Sequence, residues 1–118
     1  MTGHARSVRD WLIDVVSWGE QAASYVNDID EAAFLADRMR QDAVIRCMEC
    51  VGEASRNILK DPEARTLSHL DLYQAYWARN RFAHGYYDLN MGRVWETVTV
   101  SLPKLVVDAR AALEQLTD

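Results

Sequence analysis

The 118-residue sequence has little of what several protein classes require. Its two cysteines are too few for the disulfide framework of a small secreted domain. Five glycines and two prolines are too few for collagen or a turn-rich β-sandwich. No apolar run approaches the roughly 20 residues that span a bilayer. Charged Arg6, Arg9, Asp10 and Asp14 interrupt the N-terminal segment, so we expect no signal peptide or membrane anchor, and a cytoplasmic protein.

What is present fits one soluble globular domain covering residues 1–118. Hydrophobic residues make up 49% of the chain and charged residues 26%, which is an ordinary balance for such a domain. The net charge of −5 argues against tight non-specific binding to nucleic acid. The charge is uneven, however, because residues 38–81 carry a small positive net charge while both flanking segments are acidic. This basic segment ends at Arg79 and Arg81.

Apolar residues recur with helical spacing through nearly the whole chain, and no segment alternates as a β-strand would. The pattern predicts a first helix over about residues 7–26 and a second helical region over 31–59. Asp30 is placed to cap the second region, which has a possible break near Asp37. Pro62 stops it, and residues 61–70 are expected to form a loop.

Two further helical regions complete a predicted all-α bundle of four to five up-and-down helices. A third helix begins near Ser68 or Asp71 and runs toward Phe82, and the last region covers residues 93–116. Pro103 lies inside the last region. It predicts either a kink or a new helix that is capped by Ser101 and has the proline in its first turn.

The densest group of polar residues spans 79–88, with the sequence RNRFAHGYYD. In a straight helix, five residues correspond to about 500° of rotation, so the side chains of Arg79 and His84 would point about 140° apart around the axis. If the helix ends near Ala83, His84 can turn back, and Gly85 makes such a turn easy. The two side chains suit phosphodiester chemistry, because arginine binds phosphate and histidine transfers protons near neutral pH. An isolated pair at this spacing is more often an ordinary solvated helix end.

The longer pattern is more specific. Arg79, His84 and Tyr86, followed by Asp88 and the Val94-Trp95-Glu96 stretch, resemble the motif region of HepT-like ribonuclease toxins of the HEPN superfamily. The stretches DAVIR and VGEAS, over residues 42–55, are similar to that family's second helix, and Leu-Pro-Lys-Leu at 102–105 to its final helix. The resemblance covers roughly residues 34–116. The loop before the motif departs from the family, because it lacks a Pro-Trp segment.

The resemblance implies a metal-independent ribonuclease that acts as a homodimer, with the motif at the dimer interface. It also implies neutralisation by an MNT-type nucleotidyltransferase antitoxin, which transfers AMP to the motif tyrosine. By position, Arg79 and His84 would be catalytic, Tyr86 would be the modified residue, and Asn80 and Arg81 would support them. No cofactor is expected, and ATP for the modification would be held by the antitoxin.

Two features outside the motif have competing interpretations. Glu53 lies between small residues, so it could approach the motif and orient Arg79 or His84, or it could be a solvated helix glutamate. Cys47 and Cys50 form a C-x-x-C inside a predicted helix, where small buried thiols are a simpler interpretation than zinc or redox chemistry. Trp18 lies off the apolar stripe of the first helix and is a candidate dimer contact.

Two alternatives to a ribonuclease toxin stay open from the sequence. The chain could be a non-catalytic HEPN-like module that binds nucleotide or supports a partner nucleotidyltransferase, with Arg79 and His84 holding phosphate without cleaving RNA. It could also be a plain helical interaction domain. The complete trio of Arg79, His84 and Tyr86 favours the toxin over the interaction domain. Nothing in the sequence separates the toxin from the non-catalytic module.

Overall fold

The protein is described by a computed structural model over residues 6–67, 70–72, 74–76 and 90–116. All regular structure in these ranges is helical, with no β-strand among them, and the helices pack into one bundle. The predicted all-α, HEPN-like class is therefore confirmed. None of the described helices combines the length and the hydropathy needed to cross a bilayer.

The first helix, α1, runs over Val8–Ser24 and begins at a capping box. The Ser7 hydroxyl accepts a hydrogen bond from the Asp10 N–H at 3.2 Å, and the Asp10 carboxylate accepts one from the Ser7 N–H at 2.9 Å. These bonds satisfy two backbone donors and fix where the helix starts. The buried face of α1 is formed by apolar residues that recur with helical spacing, namely Val8, Leu12, Val15, Val16 and Ala22, and Gly19 lies on the same face.

The second predicted region is divided near Asp37, as the sequence suggested. Helix α2 runs over Glu31–Leu35 and α3 over Arg38–Leu59. Each helix is capped by the aspartate before it. The Ala33 N–H donates to the Asp30 carboxylate at 2.9 Å, and the Arg40 N–H donates to the Asp37 carboxylate at 3.1 Å. The cap at Asp37 starts a new helix directly after α2 and so produces the break.

Residues after α3 are more regular than the predicted loop at 61–70. A 3-10 helix covers Pro62–Leu67. Proline suits the first position of a helical turn because the N–H it lacks would have no partner there. The Ala64 N–H donates to the Asp61 carbonyl at 2.9 Å, which closes that turn. Residues 72 and 74–76 are helical, in agreement with a third helix that starts near Asp71.

The last region contains three consecutive helical segments: α4 over Met91–Glu96, a π-helical segment over Thr97–Ser101, and α5 over Leu102–Gln115. The region begins two residues before the predicted start at 93, because the Asn90 side chain accepts the N–H groups of Gly92 and Arg93. Pro103 lies in the first turn of α5 as one alternative predicted, but Ser101 has helical backbone angles and makes no side-chain cap.

The π-helical segment explains how the chain passes Pro103 without a new cap. A proline has no N–H and its ring collides with the carbonyl four residues earlier in an α-helix. The backbone instead widens just before it, and the Leu102 N–H donates to the Thr97 carbonyl five residues back. The threonine hydroxyls at 97 and 99 donate to the carbonyls of Arg93 and Trp95 at 2.8 and 2.7 Å.

The hydrophobic core forms where α1 packs against both α3 and α5. Gly19 permits the close contact of α1 with α5, because a β-carbon at this position would overlap Val106 Cγ2. Phe34 on α2 is fully buried, and its ring lies 5.5 Å from that of Trp95 on α4. The two short helices are therefore held together by an aromatic pair.

Candidate functional site

The polar motif of the predicted site lies outside the described residues. This applies to Arg79, Asn80, Arg81, His84 and Tyr86, whose predicted roles stay predictions. The described chain stops at residue 76 before the motif and resumes at residue 90, where Asn90 caps α4. The geometry that can be examined is therefore that of Glu53 and of the surfaces on either side of the motif in sequence.

Glu53 lies half-buried on α3. Its carboxylate is 3.6 Å from the Arg56 guanidinium and accepts a hydrogen bond from Asn57 Nδ2 at 3.3 Å. The same amide donates to the Glu53 carbonyl at 2.9 Å. The flanking Gly52 and Ala54 are both buried. Whether Glu53 also orients the motif stays a prediction.

Glu53 contributes to an open groove of about 320 Å³ between α1 and α3, whose walls include Trp18, Cys50 and Asp14. Trp18 is half-buried and packs against the core, and its proposed dimer contact is untested. At one end Arg6 lies over the Trp11 ring at 4.1 Å and pairs with Asp14 at 2.7 Å. Carboxylates outnumber cations among the residues that line this groove, so it is a poor surface for the RNA backbone.

The two cysteines on α3 differ in exposure. Cys47 is buried, as the sequence interpretation expected, and Cys50 is half-buried. Burial raises the pKa of the Cys47 thiol to about 11, because it disfavours the charged thiolate, and it raises the pKa of Cys50 in the same direction. Both thiols are therefore mainly protonated near pH 7, which makes them weak nucleophiles. Among the described residues, no group of three or more metal-ligating side chains is close enough to hold an ion.

A second cavity, of about 310 Å³, lies where α3 faces the π-helical segment and α5. Buried apolar side chains form its walls, namely Met48, Val51, Leu102 and Leu105. Its polar lining comes from Asp71, Gln74, Thr97 and Ser101. This cavity was not predicted from the sequence. The only signal was Pro103, which causes the irregular backbone but does not by itself indicate a pocket.

Comparison with known proteins identifies the family. The sequence model described as "Ribonuclease HepT-like" matches residues 19–112, which include every candidate site residue. The chain belongs to the HepT-like ribonuclease family. A Thermococcus cleftensis protein named "Probable ribonuclease HepT" is 32% identical over 100 residues, which are 85% of this chain and 90% of that protein.

A Methanocaldococcus jannaschii protein, provisionally named an RNase, is 26% identical to this HepT-like chain over 111 residues. These are 94% of this chain and 95% of its relative. A second provisionally named RNase from the same organism is 29% identical over 100 residues, which are 85% of this chain and 91% of that protein. No solved structure matches the chain. The resemblance drawn from residues 34–116 is confirmed, and family membership makes a ribonuclease the supported activity of this HepT-like protein.

Proposed function

We propose that this HepT-like ribonuclease is the toxin of a toxin–antitoxin pair and that it cleaves RNA without a metal ion, using Arg79 and His84. The observation that supports this most is the family match over residues 19–112, since it spans the whole Arg79–Tyr86 motif in sequence. A ribonuclease needs a group that binds phosphate and a group that transfers protons. Arg79 and His84 provide one of each.

The proposed reaction uses the 2′-hydroxyl of RNA as an internal nucleophile. A His84 imidazole takes the 2′-hydroxyl proton while the 2′-oxygen forms a bond to phosphorus. The bond from phosphorus to the 5′-oxygen breaks, and that oxygen takes up a proton, which leaves a 2′,3′-cyclic phosphate and a 5′-hydroxyl. Arg79 stabilises the negative charge that develops on the phosphoryl oxygens.

A homodimer would place two copies of Arg79 and His84 in one cleft, so that one imidazole could act as base and the other as acid. The described surface of the monomer has apolar side chains that a second copy could cover. Met39 on α3 is 81% exposed and Val107 on α5 is 65% exposed. Light scattering at micromolar concentration is expected to give the mass of a dimer, and a monomer would contradict the arrangement.

In this proposal Tyr86 is the regulatory residue, and a nucleotidyltransferase antitoxin transfers AMP to it. The attached phosphate would compete with RNA for Arg79 and Arg81, since an anion placed beside a guanidinium occupies its donors. We propose Asn80, Arg81 and Glu53 as supporting residues that bind or orient, with no proton transfer of their own. Glu53→Gln keeps the size of the side chain and removes its charge, so it tests the orienting role through kcat.

Induced expression in bacteria tests the toxin directly. The wild-type protein is expected to stop growth and degrade RNA, and His84→Ala and Arg79→Ala are expected to do neither. His4→Ala is the matched control because it removes a histidine outside the motif, and it should stay toxic. Each variant is checked by circular dichroism for unchanged helicity. A wild-type protein that binds RNA and leaves it intact would favour the non-catalytic module instead.

Two measurements on the purified protein test the mechanism. Cleavage is expected to continue in EDTA and to fail on a substrate whose cleaved nucleotide lacks the 2′-hydroxyl. Activity that disappears in EDTA and returns with magnesium would contradict the metal-free route.

Co-expression with a nucleotidyltransferase encoded beside this protein tests the regulation. Intact mass and peptide mapping are expected to show AMP on the peptide that contains Tyr86. The addition should be absent from Tyr86→Phe and present in Tyr87→Phe, the matched neighbour. An unmodified peptide from a fully neutralised complex would show that the antitoxin inhibits by binding alone.

A further inference from the structure

The cavity beside the π-helical segment has polar groups at its rim that make no hydrogen bond within the part of the chain that the structure describes. The side chains of Asp71 and Gln74 are exposed and form no hydrogen bond or ion pair there, and the same holds for Ser101. The apolar walls below them are fully formed and buried. Buried apolar walls with a few converging polar groups are typical of a small-molecule site.

The volume limits the class of ligand. At about 310 Å³ the cavity is at the lower end of the range for small-ligand sites. It can enclose one flat heterocycle and is too small for a stretch of nucleotides. The walls are aliphatic, from Met48, Val51, Leu102 and Leu105, and therefore suit the two faces of such a ring.

The polar rim limits the ligand further. A carboxylate only accepts hydrogen bonds, and it can take two parallel ones. Guanine is the RNA base that presents two adjacent donors, N1–H and the N2 amino group, on its Watson–Crick edge. Adenine, cytosine and uracil each offer a single donor site there. Gln74, on the same side of the cavity, carries an amide N–H that can donate to the guanine O6.

The position of the cavity connects it with the cleavage motif. Asp71, Gln74 and Tyr76 belong to the segment that leads into the motif, and Arg79 follows Tyr76 by three residues in the sequence. Three residues of chain span about 11 Å at most. Lys104 on α5 donates to Asp108 at 2.8 Å. That hydrogen bond raises the pKa of Lys104, and the nearby Asp71 charge raises it further, so a cation stands beside the rim.

We propose that this cavity binds a guanine base of the RNA substrate, with the Asp71 carboxylate accepting hydrogen bonds from N1–H and the N2 amino group and Gln74 donating to O6. Cleavage would then prefer a bond near a guanine. This specificity rests on the proposed ribonuclease function, whereas binding of a free guanine nucleotide does not.

Binding of mononucleotides tests the cavity without any chemistry. His84→Ala protein is titrated calorimetrically with 5′-GMP, 5′-AMP, 5′-CMP and 5′-UMP. We expect GMP to bind at least about tenfold more tightly than the others, as one bidentate pair with a base provides. Asp71→Asn in the same background is expected to lose this preference. The asparagine amide has one oxygen that accepts and one NH2 group that donates, so it cannot accept parallel hydrogen bonds from N1–H and the N2 amino group as a carboxylate does.

Asp42→Asn is the matched control. It also removes one negative charge, but Asp42 pairs with Arg38 on α3 and does not line the cavity, so the preference for GMP should persist. Equal binding of GMP and AMP, or a preference that survives in Asp71→Asn, would overturn the proposal.

Cleavage of short RNAs with a single guanine, moved one position at a time, separates this proposal from the proposed function. The specificity site is supported if the cleavage position of the wild-type protein moves with the guanine, and if the cleavage position of Asp71→Asn does not depend on where the guanine is. Cleavage that ignores the guanine in both proteins overturns the site and leaves the ribonuclease function standing. Binding of GMP by a protein that cuts no RNA supports the site and contradicts the ribonuclease function.

Discussion

Replacing Phe34 with alanine tests how the two short helices are held. Helix α2 has five residues, too few for an isolated helix to be stable in water, so its stability must come from packing. Phe34 has no exposed surface, and its ring contacts Trp95 on α4. The neighbouring Leu35 is 47% exposed and belongs to the same helix. Alanine substitutions at Phe34 and Leu35 therefore compare a buried residue with an exposed one in the same helix.

The expected loss of stability follows from the burial. A fully buried phenylalanine replaced by alanine typically loses about 3–5 kcal/mol from lost transfer free energy and the cavity left behind. If α2 moved into the cavity left by the ring, this loss would be smaller. Hydrogen bonds hold both ends of α2 in place, because Asp30 caps its first turn and the Gln41 amide donates to its last carbonyls. We therefore expect Phe34→Ala to lower the free energy of unfolding by about 4 kcal/mol, and Leu35→Ala by less than about 1 kcal/mol.

Urea and thermal unfolding, followed by circular dichroism at one protein concentration, measure both variants. A loss of about 4 kcal/mol corresponds to a fall of about 15 °C in Tm for a domain of this size. Phe34→Leu keeps most of the apolar volume and should lose about 1 kcal/mol, as a third point in the series. Similar losses for Phe34→Ala and Leu35→Ala would show that α2 is not anchored by the aromatic ring, and would refute the reasoning.

Three further predictions follow from packing and burial. Gly19→Ala should lower the free energy of unfolding by about 1 kcal/mol, because the steric cost of the overlap with Val106 is larger than the free energy gained from the higher helix propensity of alanine. Gln41→Met should lower it by about 2 kcal/mol, because the buried amide donates to the last two carbonyls of α2 at 2.9 and 3.1 Å. At pH 8 iodoacetamide should modify Cys50 before Cys47, since a pKa of about 11 leaves roughly one Cys47 thiol in 1,000 ionised.

Specific outcomes would contradict the predictions for Gly19 and for the two cysteines. Gly19→Ala should stabilise the protein when Val106 is also alanine, and a loss in that background would exclude overlap as the cause; Ser17→Ala, on the exposed side of α1, should change little. Faster labelling of Cys47 than of Cys50 would contradict its burial. The raised pKa of Cys47 also means that stability falls between about pH 9 and 11, because the unfolded thiol ionises first.

The sequence was sufficient for the class of fold, for the starts of three helices and for the family. Apolar spacing predicted the buried faces of α1 and α3, because the period of a helix fixes which side chains share a face. Asp30 predicted a helix start because a cap is a local interaction between a side chain and the next turn, whereas the sequence predicted only a break near Asp37 and the structure shows that its carboxylate caps α3. The motif at 79–88 and the stretches around it were sufficient to identify a HepT-like ribonuclease, and the family match over residues 19–112 includes the whole motif.

Three-dimensional packing decided the rest. The close contact at Gly19 depends on a helix that lies almost 90 residues later in the chain, and no local pattern encodes that distance. The π-helical segment depends on how the chain accommodates Pro103 while α4 and α5 both stay packed on the core. The cavity bounded by Asp71, Met48 and Leu105 exists only because three separate segments meet there. Local sequence determines helices and caps, whereas a cavity is the space left between elements that are distant in the chain.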